Sequence, residues 1–400
     1  MNFEKKNNIY KTVMTIIVTA IVVSIATTVL LYNYYFKTED GLVKTLVNAE
    51  TSNLNTKIQL IKGYIDEFYL GEINEDDMIE SAIKGYIAGL GDKYTEYLTK
   101  DEYEELMVDV NGDYVGIGIY MAQDINGNVI VLLPIEGSPA EEAGLKTGDI
   151  ITKVNGEDCI GKDLSLVAKK VKGEEGTTVD LEIQREDEII NKTVERRTVE
   201  IDNIESEVIE NNIGYIEILS FDTGSREEIE TILNDYKKIG IKSIIIDLRD
   251  NGGGLASEAT DMADLFVEKN CNIMIETDKK GKTKNTTAER EPLVDSEVKV
   301  IVITNENTAS ASEILVGALK DNNVATVVGT TTYGKGVMQE LVPVSSGGAL
   351  KLTIKEFCTP NGNKINKEGI KPDIEIEDNE ETEDDEQLQK AIEMCRWWIY

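Results

Sequence analysis

This 400-residue sequence predicts a layered α/β core preceded by a small strand-rich domain, a helical region and one transmembrane helix. Three observations carry that fold class. No charged residue occurs from Thr12 to Phe36. Short strands broken by Asn-Gly turns fill 107–190, and beyond residue 190 strands alternate with amphipathic helices.

Residues 1–11 hold Lys5, Lys6 and Lys11, while Tyr32, Tyr34, Tyr35 and Phe36 close the far end of the apolar run. A run of this length suffices to cross a hydrocarbon layer of about 30 Å as a helix. Basic residues in front of it predict a cytoplasmic N-terminus, with the aromatic belt and the remainder of the chain on the other side. The rival reading, a signal peptide cut near Ser24-Ile-Ala26, places the small-residue site inside the apolar run, so an uncleaved anchor over 12–36 is expected.

From 37 to 106 the stretches "KIQLIKGYIDEFYL" and "DMIESAIKGYIAGLGDKY" space apolar residues three and four apart. They predict helices that pack on each other or on a second copy of the chain. Residues 107–190 read as a separate domain of five short strands and two helices, beginning "YVGIGIYM" and holding the helix "DLSLVAKKVK". The core, 191–400, runs strand "IGYIEILSF", helix "SREEIETILNDYKKIG", strand "KSIIIDLRD", loop "NGGG", helix "LASEATDMADLFV", the polar loop "DKKGKTKNTTAEREPLVDSE", and strand "VKVIVIT". Near its end, 375–386 is an acidic segment expected to be a solvated tail or linker.

Seventy-five acidic against 41 basic residues give a formal charge of −34. That excess excludes sequence-independent nucleic-acid binding, which needs clustered cations. With no histidine, and with Cys159, Cys271, Cys358 and Cys395 all isolated, no zinc site can be assembled from the usual ligands. No cofactor is expected, and the four thiols are expected to be free.

"NENTASASEILVGALKDN" (305–322) brings a serine to a strand-to-helix turn. Ser310-Ala-Ser-Glu313 fits a capping box, yet the same place offers free N–H groups and a helix dipole to a developing oxyanion. Cap and nucleophile both remain open on these residues alone. A nucleophile without histidine needs another base, and Ser-Lys pairs are one solution. Lysine would have to fall from about 10.4 to about 7, a differential cost of about 4.6 kcal/mol that burial can supply. "TTYGKGVMQE" offers Lys335 between two glycines that permit close backbone approach, with Gln339 on the same face of the following strand.

Together these two segments resemble the C-terminal processing (tail-specific) peptidases, PDZ-containing serine peptidases with a Ser-Lys dyad. The family's serine-to-lysine spacing of 25 and lysine-to-glutamine spacing of 4 are reproduced by Ser310, Lys335 and Gln339. "GLGDKYTEYLT", "DLRDNGGGL" and "CTPNGNKINKEGIKPD" are similar to further family segments. The resemblance implies a crotonase/ClpP-like α/β core with a PDZ domain in front of it. It implies Ser310, rather than Ser312, as nucleophile, Lys335 as base, Gln339 as its support, and Asp321 as a further support. Backbone N–H groups of Gly253 and Ala311 would form the oxyanion hole. In the PDZ domain, Gly116, Ile117, Gly118 and Ile119 would receive a substrate's C-terminal carboxylate, with Lys172 coupling occupancy to activity. Two departures stand out: Gly252 replaces a proline, and Lys172 an arginine.

The function so implied is a membrane-anchored serine endopeptidase, outside the cytoplasm, whose partners are proteins with free C-termini. The alternatives are a non-catalytic PDZ scaffold and a crotonase-type acyl-CoA enzyme, since fold alone does not fix chemistry.

Overall fold

Continuous apolar runs build the centre of the fold. Ser243–Asp247 buries every residue, and Lys299–Thr304 all but the first, as strands covered on both faces must. In the computed structural model, which describes residues 54–399 except 112, 125, 187, 201–202, 211, 346 and 379–383, they lie inside a six-stranded sheet. Its spatial order is Ile204–Ile209, Ile213–Ile218, Ser243–Asp247, Lys299–Thr304, Ala325–Gly329 and Ile374–Glu375. All neighbours are parallel except the first pair.

Helices cover both faces. Ser225–Ile239 buries Ile229, Leu233 and Tyr236 along one stripe, carries Glu227 and Glu228 in its first turn, and ends at Gly240 with φ 79°. Each feature follows the rules for a surface helix: one apolar face, acids near the positive end, a left-handed stop. Ala256–Ala263 and Ala311–Asp321 pack in the same core cluster. On the other face Ala391 and Cys395 of the helix Glu386–Ile399 meet Ile213, Ile245 and Ile301.

A five-stranded antiparallel sheet joins Glu96–Leu98, Val337–Pro343, Ala349–Cys358, Asn272–Asp278 and Thr283–Thr287. Two expectations change here. Glu96–Leu98, inside the region read as helical, is a strand paired with Ala349–Leu350-Lys351. Thr283–Thr287, inside the region read as a polar loop, returns on Asn272–Asp278 as a hairpin.

The small domain is a sheet of Ile119–Gln123, Val129–Pro134, Ile150–Val154, Thr178–Arg185 and Glu188–Glu195, with Glu157–Asp158 beside Ile150–Val154. The first strand is an edge. Asp113–Gly116 pairs instead with Arg197–Glu200, a two-stranded ribbon where the chain enters and leaves the domain.

The chain divides into two compact units, Met1–Asp77 and Met78–Tyr400. In the first, the helix Leu54–Phe68 buries none of its residues; Lys62 pairs with Asp66 and Glu75, and Tyr64 stacks on Phe68 with ring centroids 6.2 Å apart. The expected transmembrane helix is corrected: among the described residues no helix is long and apolar enough to cross a membrane. The longest, at 15 residues, reach only about 22 Å. The segment 12–36 and the tail 1–11 lie outside the described residues. All four cysteines are free thiols.

Candidate active site

Three loops converge because the strands that launch them are parallel neighbours. Residues 248–254 follow Ser243–Asp247, residues 305–310 follow Lys299–Thr304, and residues 330–335 follow Ala325–Gly329. Their carboxyl ends share one edge of the sheet, where α/β folds place their sites.

Ser310 caps the helix Ala311–Asp321 with φ 59° and ψ −113°, a positive φ rare for a residue with a Cβ. Its neighbours are stitched to the loop below. Thr308 Oγ1 donates to Leu248 O at 2.8 Å, Ala309 N–H to Asn251 O at 3.0 Å, and Ser312 Oγ to Asn251 O at 3.0 Å. Ser312 is fully buried with its hydroxyl committed to that bond, whereas Ser310 is half-buried.

Glu313 is the residue whose importance the capping-box reading understated. Its carboxylate is fully buried. Oε2 accepts from Ser310 N–H at 2.9 Å and from Lys335 N–H at 2.8 Å. Oε1 accepts from Thr332 Oγ1 at 2.6 Å and Gly334 N–H at 2.8 Å. Two amides 25 residues apart in sequence therefore share one oxygen, which keeps them within about 6 Å of each other. Burial pushes the Glu313 carboxyl above its ordinary range, opposed by the four donors. The signal was present in sequence as "SASE"; its second set of partners was not.

Lys335 is half-buried, and desolvation holds its amine below the ordinary lysine value, helped by the charges of Lys351 and Lys93 and opposed by Tyr333 and Glu313. The flanking glycines explain the burial. A Cβ on Gly334 would lie 2.9 Å from Gly369 N, and one on Gly336 would lie 2.3 Å from Asn366 N. Without side chains there, the loop Ile365–Gly369 closes on the lysine segment, and Lys367 N–H donates to Gly334 O at 2.8 Å. The Lys335 amine sits over the Tyr94 ring, 5.1 Å from its centroid. It makes no hydrogen bond to the Ser310 hydroxyl in this geometry.

Gly253 stands against the serine: a Cβ there, at φ 110°, would come 2.8 Å from Ser310 Cβ and 3.0 Å from Ala311 N. Its own N–H donates to Asn251 Oδ1 at 2.8 Å. Ala311 is the first residue of its helix, so its N–H has no intrahelical acceptor. Beside them Leu219, Ser220, Asp222, Gly252 and Gly254 line a cavity of about 280 Å³. The loop is braced from behind. Arg249 forks to Asp247 and to Asp385, at 2.6 and 2.7 Å, which ties Asp385, near the end of the acidic segment 375–386, to the base of this loop. Gln339 is half-buried and donates to Thr353 Oγ1 at 3.4 Å rather than to Lys335. Asp321 lies at the far end of the helix, about 16 Å along its axis from Ser310, accepting from Asn361 N–H at 2.9 Å.

In the small domain, Gly116–Ile119 connects the ribbon to the edge strand. Ile117 O accepts from Ala140 N–H at 2.7 Å, and Gly118 O from Ile135 N–H at 3.0 Å. In trans peptides the following N–H groups, of Gly118 and Ile119, point the opposite way. The Ile135–Gly118 bond also makes Ile119 and Pro134 a non-hydrogen-bonded pair, which turns the Ile119 backbone to the free edge. The Ile117 side chain belongs to the domain core. The helix Leu164–Val171 packs beside this edge, ended by Lys172, whose N–H donates to Ala168 O at 2.9 Å. Sequence reading missed Arg196. It is buried, and donates to Val171 O at 2.8 Å, Lys170 O at 2.9 Å and Thr178 O at 2.8 Å.

Residues 212–376 match peptidase family S41, and residues 130–185 match the PDZ domain. A protein of Staphylococcus aureus (strain MRSA252) described as "Probable CtpA-like serine protease" is 37% identical over 364 residues, covering 91% of this chain and 71% of its own length. The chain belongs to peptidase family S41. A relative of the same description from Staphylococcus epidermidis is 36% identical over 339 residues, covering 83% of this S41 peptidase and 68% of itself. The solved photosystem II D1 C-terminal processing protease is 27% identical, with a TM-score of 0.50 over 80% of this chain and 86% of that one. This S41 peptidase is thus a serine protease with a PDZ domain, two domains that imply binding of peptide or protein substrates.

Proposed function

We propose that this S41 peptidase cleaves proteins with a Ser310–Lys335 dyad after its PDZ domain has taken hold of their free C-terminal tails. One observation carries the reading: a single buried oxygen of Glu313 binds the backbone of both residues. The neutral Lys335 amine accepts the Ser310 hydroxyl proton as Oγ bonds to the scissile carbonyl carbon. The resulting ammonium returns that proton to the leaving amine nitrogen as the C–N bond breaks. Water then adds to the acyl-serine ester, giving its proton to the same amine, and as the ester C–O bond breaks the ammonium returns that proton to Ser310 Oγ, freeing the serine. Ala311 N–H faces the developing oxyanion, joined by Gly253 N–H once that group leaves Asn251. Depressing the amine by burial is what this role requires, since an ordinary lysine is protonated at neutral pH.

Tail selection uses the Gly118 and Ile119 N–H groups for the terminal carboxylate and the free edge Ile119–Gln123 for strand addition. Charge-assisted bonds of about 1.5–3 kcal/mol predict that amidating a substrate's C-terminus lowers kcat/KM about 10- to 150-fold. Paired free-acid and amidated peptides test this at sub-saturating concentration. Equal cleavage overturns the tail reading, and hydrolysis by Ser310→Ala overturns the dyad.

A further inference from the structure

The segment that precedes the PDZ domain reaches the lysine. Tyr94 lays its ring against the Lys335 amine, at 5.1 Å from the centroid. A second ammonium, that of Lys93, stands 4.8 Å from the same centroid. It is fixed there from the other side of the sequence: Lys93 Nζ donates to Tyr333 Oη at 2.6 Å and lies 4.8 Å over the Tyr333 ring. Two lysine nitrogens on one ring are at most about 10 Å apart, inside the range over which like charges are felt even near solvent.

We propose that Lys93 is a positioning residue of the reaction, whose charge, held over Tyr94 by Tyr333, keeps the neighbouring Lys335 amine in its proton-accepting neutral form. The inference rests on the dyad reading above. Cation–π contact with Tyr94 by itself favours the ammonium of Lys335. A second cation on the same ring opposes it, because protonating Lys335 would then place two positive charges about one aromatic ring. The other groups around the amine divide the same way. Lys351, from the strand Ala349–Cys358, adds repulsion, although Glu96 pairs with it at 2.9 Å. Glu313 and Tyr333 act in the opposite sense. The loop Ile365–Gly369 packs by its backbone, with Lys367 and Glu368 exposed. Lys93 is itself exposed, so its influence is modest: a Coulomb interaction at about 10 Å across water-like to surface-like dielectrics corresponds to about 0.3–1 pH unit.

Lys93→Met removes the charge and keeps the stem; Lys93→Arg keeps the charge. In Lys93→Met the rising limb of the kcat/KM–pH profile moves up by about 0.3–1 unit. Activity therefore falls about 2- to 10-fold below the lysine pKa and is unchanged above it. Lys93→Arg follows the wild type, and added salt shrinks the difference. The amine is also titrated directly, by trace acetylation with acetic anhydride across pH and mass spectrometry of the Lys335 peptide in the full chain. The same upward shift there supports the role of Lys93 whatever Lys335 does in turnover. An unshifted or downward-shifted titration in Lys93→Met, or a loss of activity equal at every pH, overturns it. Hydrolysis that survives Lys335→Ala instead overturns the dyad, and the acetylation titration still decides the influence of Lys93.

Discussion

Replacing Glu313 by glutamine tests the joint on which the site is built. The carboxylate accepts four hydrogen bonds, from Ser310 N–H, Lys335 N–H, Thr332 Oγ1 and Gly334 N–H, at a fully buried position. An amide of the same shape offers one oxygen. Its best orientation keeps that oxygen on Ser310 and Lys335 and turns the NH2 toward Thr332, whose hydroxyl can rotate to accept. Gly334 N–H then faces a donor and is orphaned in the interior. That single orphan costs about 1–3 kcal/mol, and the two surviving bonds lose charge assistance, each weakening by about 1 kcal/mol. The carboxylate's own burial penalty, visible in its raised pKa, is relieved and offsets part of this. The net loss is about 2–4 kcal/mol. Urea unfolding should show a lower midpoint with unchanged slope. Gly334 adjoins Lys335, so its orphaned N–H moves away from the amide and carries the lysine with it; a displacement of about 1 Å suffices to lower peptide hydrolysis about 100-fold. A Glu313→Gln enzyme with the wild-type midpoint and wild-type kcat/KM would refute the view that this carboxylate holds the two segments in register.

Four further outcomes follow from the same geometry. Ser310→Ala and Lys335→Arg should each abolish hydrolysis with the circular dichroism spectrum retained, because a guanidinium does not deprotonate at working pH. Ser312→Ala should lose only its bond to Asn251 O, about 1 kcal/mol in urea unfolding, and stay active; the reverse pattern would exchange the roles of the two serines. Activity should rise with pH through a lysine value lower than ordinary, since burial depresses the Lys335 amine and only its neutral form accepts a proton; a profile flat from about pH 5 to 9 counts against Lys335 as base. Arg249→Leu should destabilise by about 3–5 kcal/mol, because it leaves the buried Asp247 without its cation and frees Asp385; Asp385→Asn should cost less, and equal, negligible effects would mean that the end of the acidic segment does not brace the glycine loop.

The residues themselves determined much of this. Apolar runs such as Ser-Ile-Ile-Ile-Asp can only be doubly covered strands, and Gly240 stops its helix because a left-handed residue is cheapest without a Cβ. "SASE" specified a helix start, and the segments that hold Ser310, Lys335 and Gln339 resemble those of a peptidase family. Pattern could not show what those residues touch. Glu313 became the link between serine and lysine only because Lys299–Thr304 and Ala325–Gly329 pair in parallel and release their loops at the same edge. Gln339, placed beside the lysine by strand periodicity, turns to Thr353, since the register shifts between Met338 and Gln339. Gly253 N–H, expected to be open, is held by Asn251, a local bond that competes with the one foreseen. The strand Glu96–Leu98 was hidden in a helical pattern because three residues carry almost no periodic signal, and its partner strand lies some 250 residues away. That same distant pairing brings Lys93 and Tyr94 to Lys335. Local sequence fixes how a segment folds, while contacts between segments depend on where the sheet delivers them.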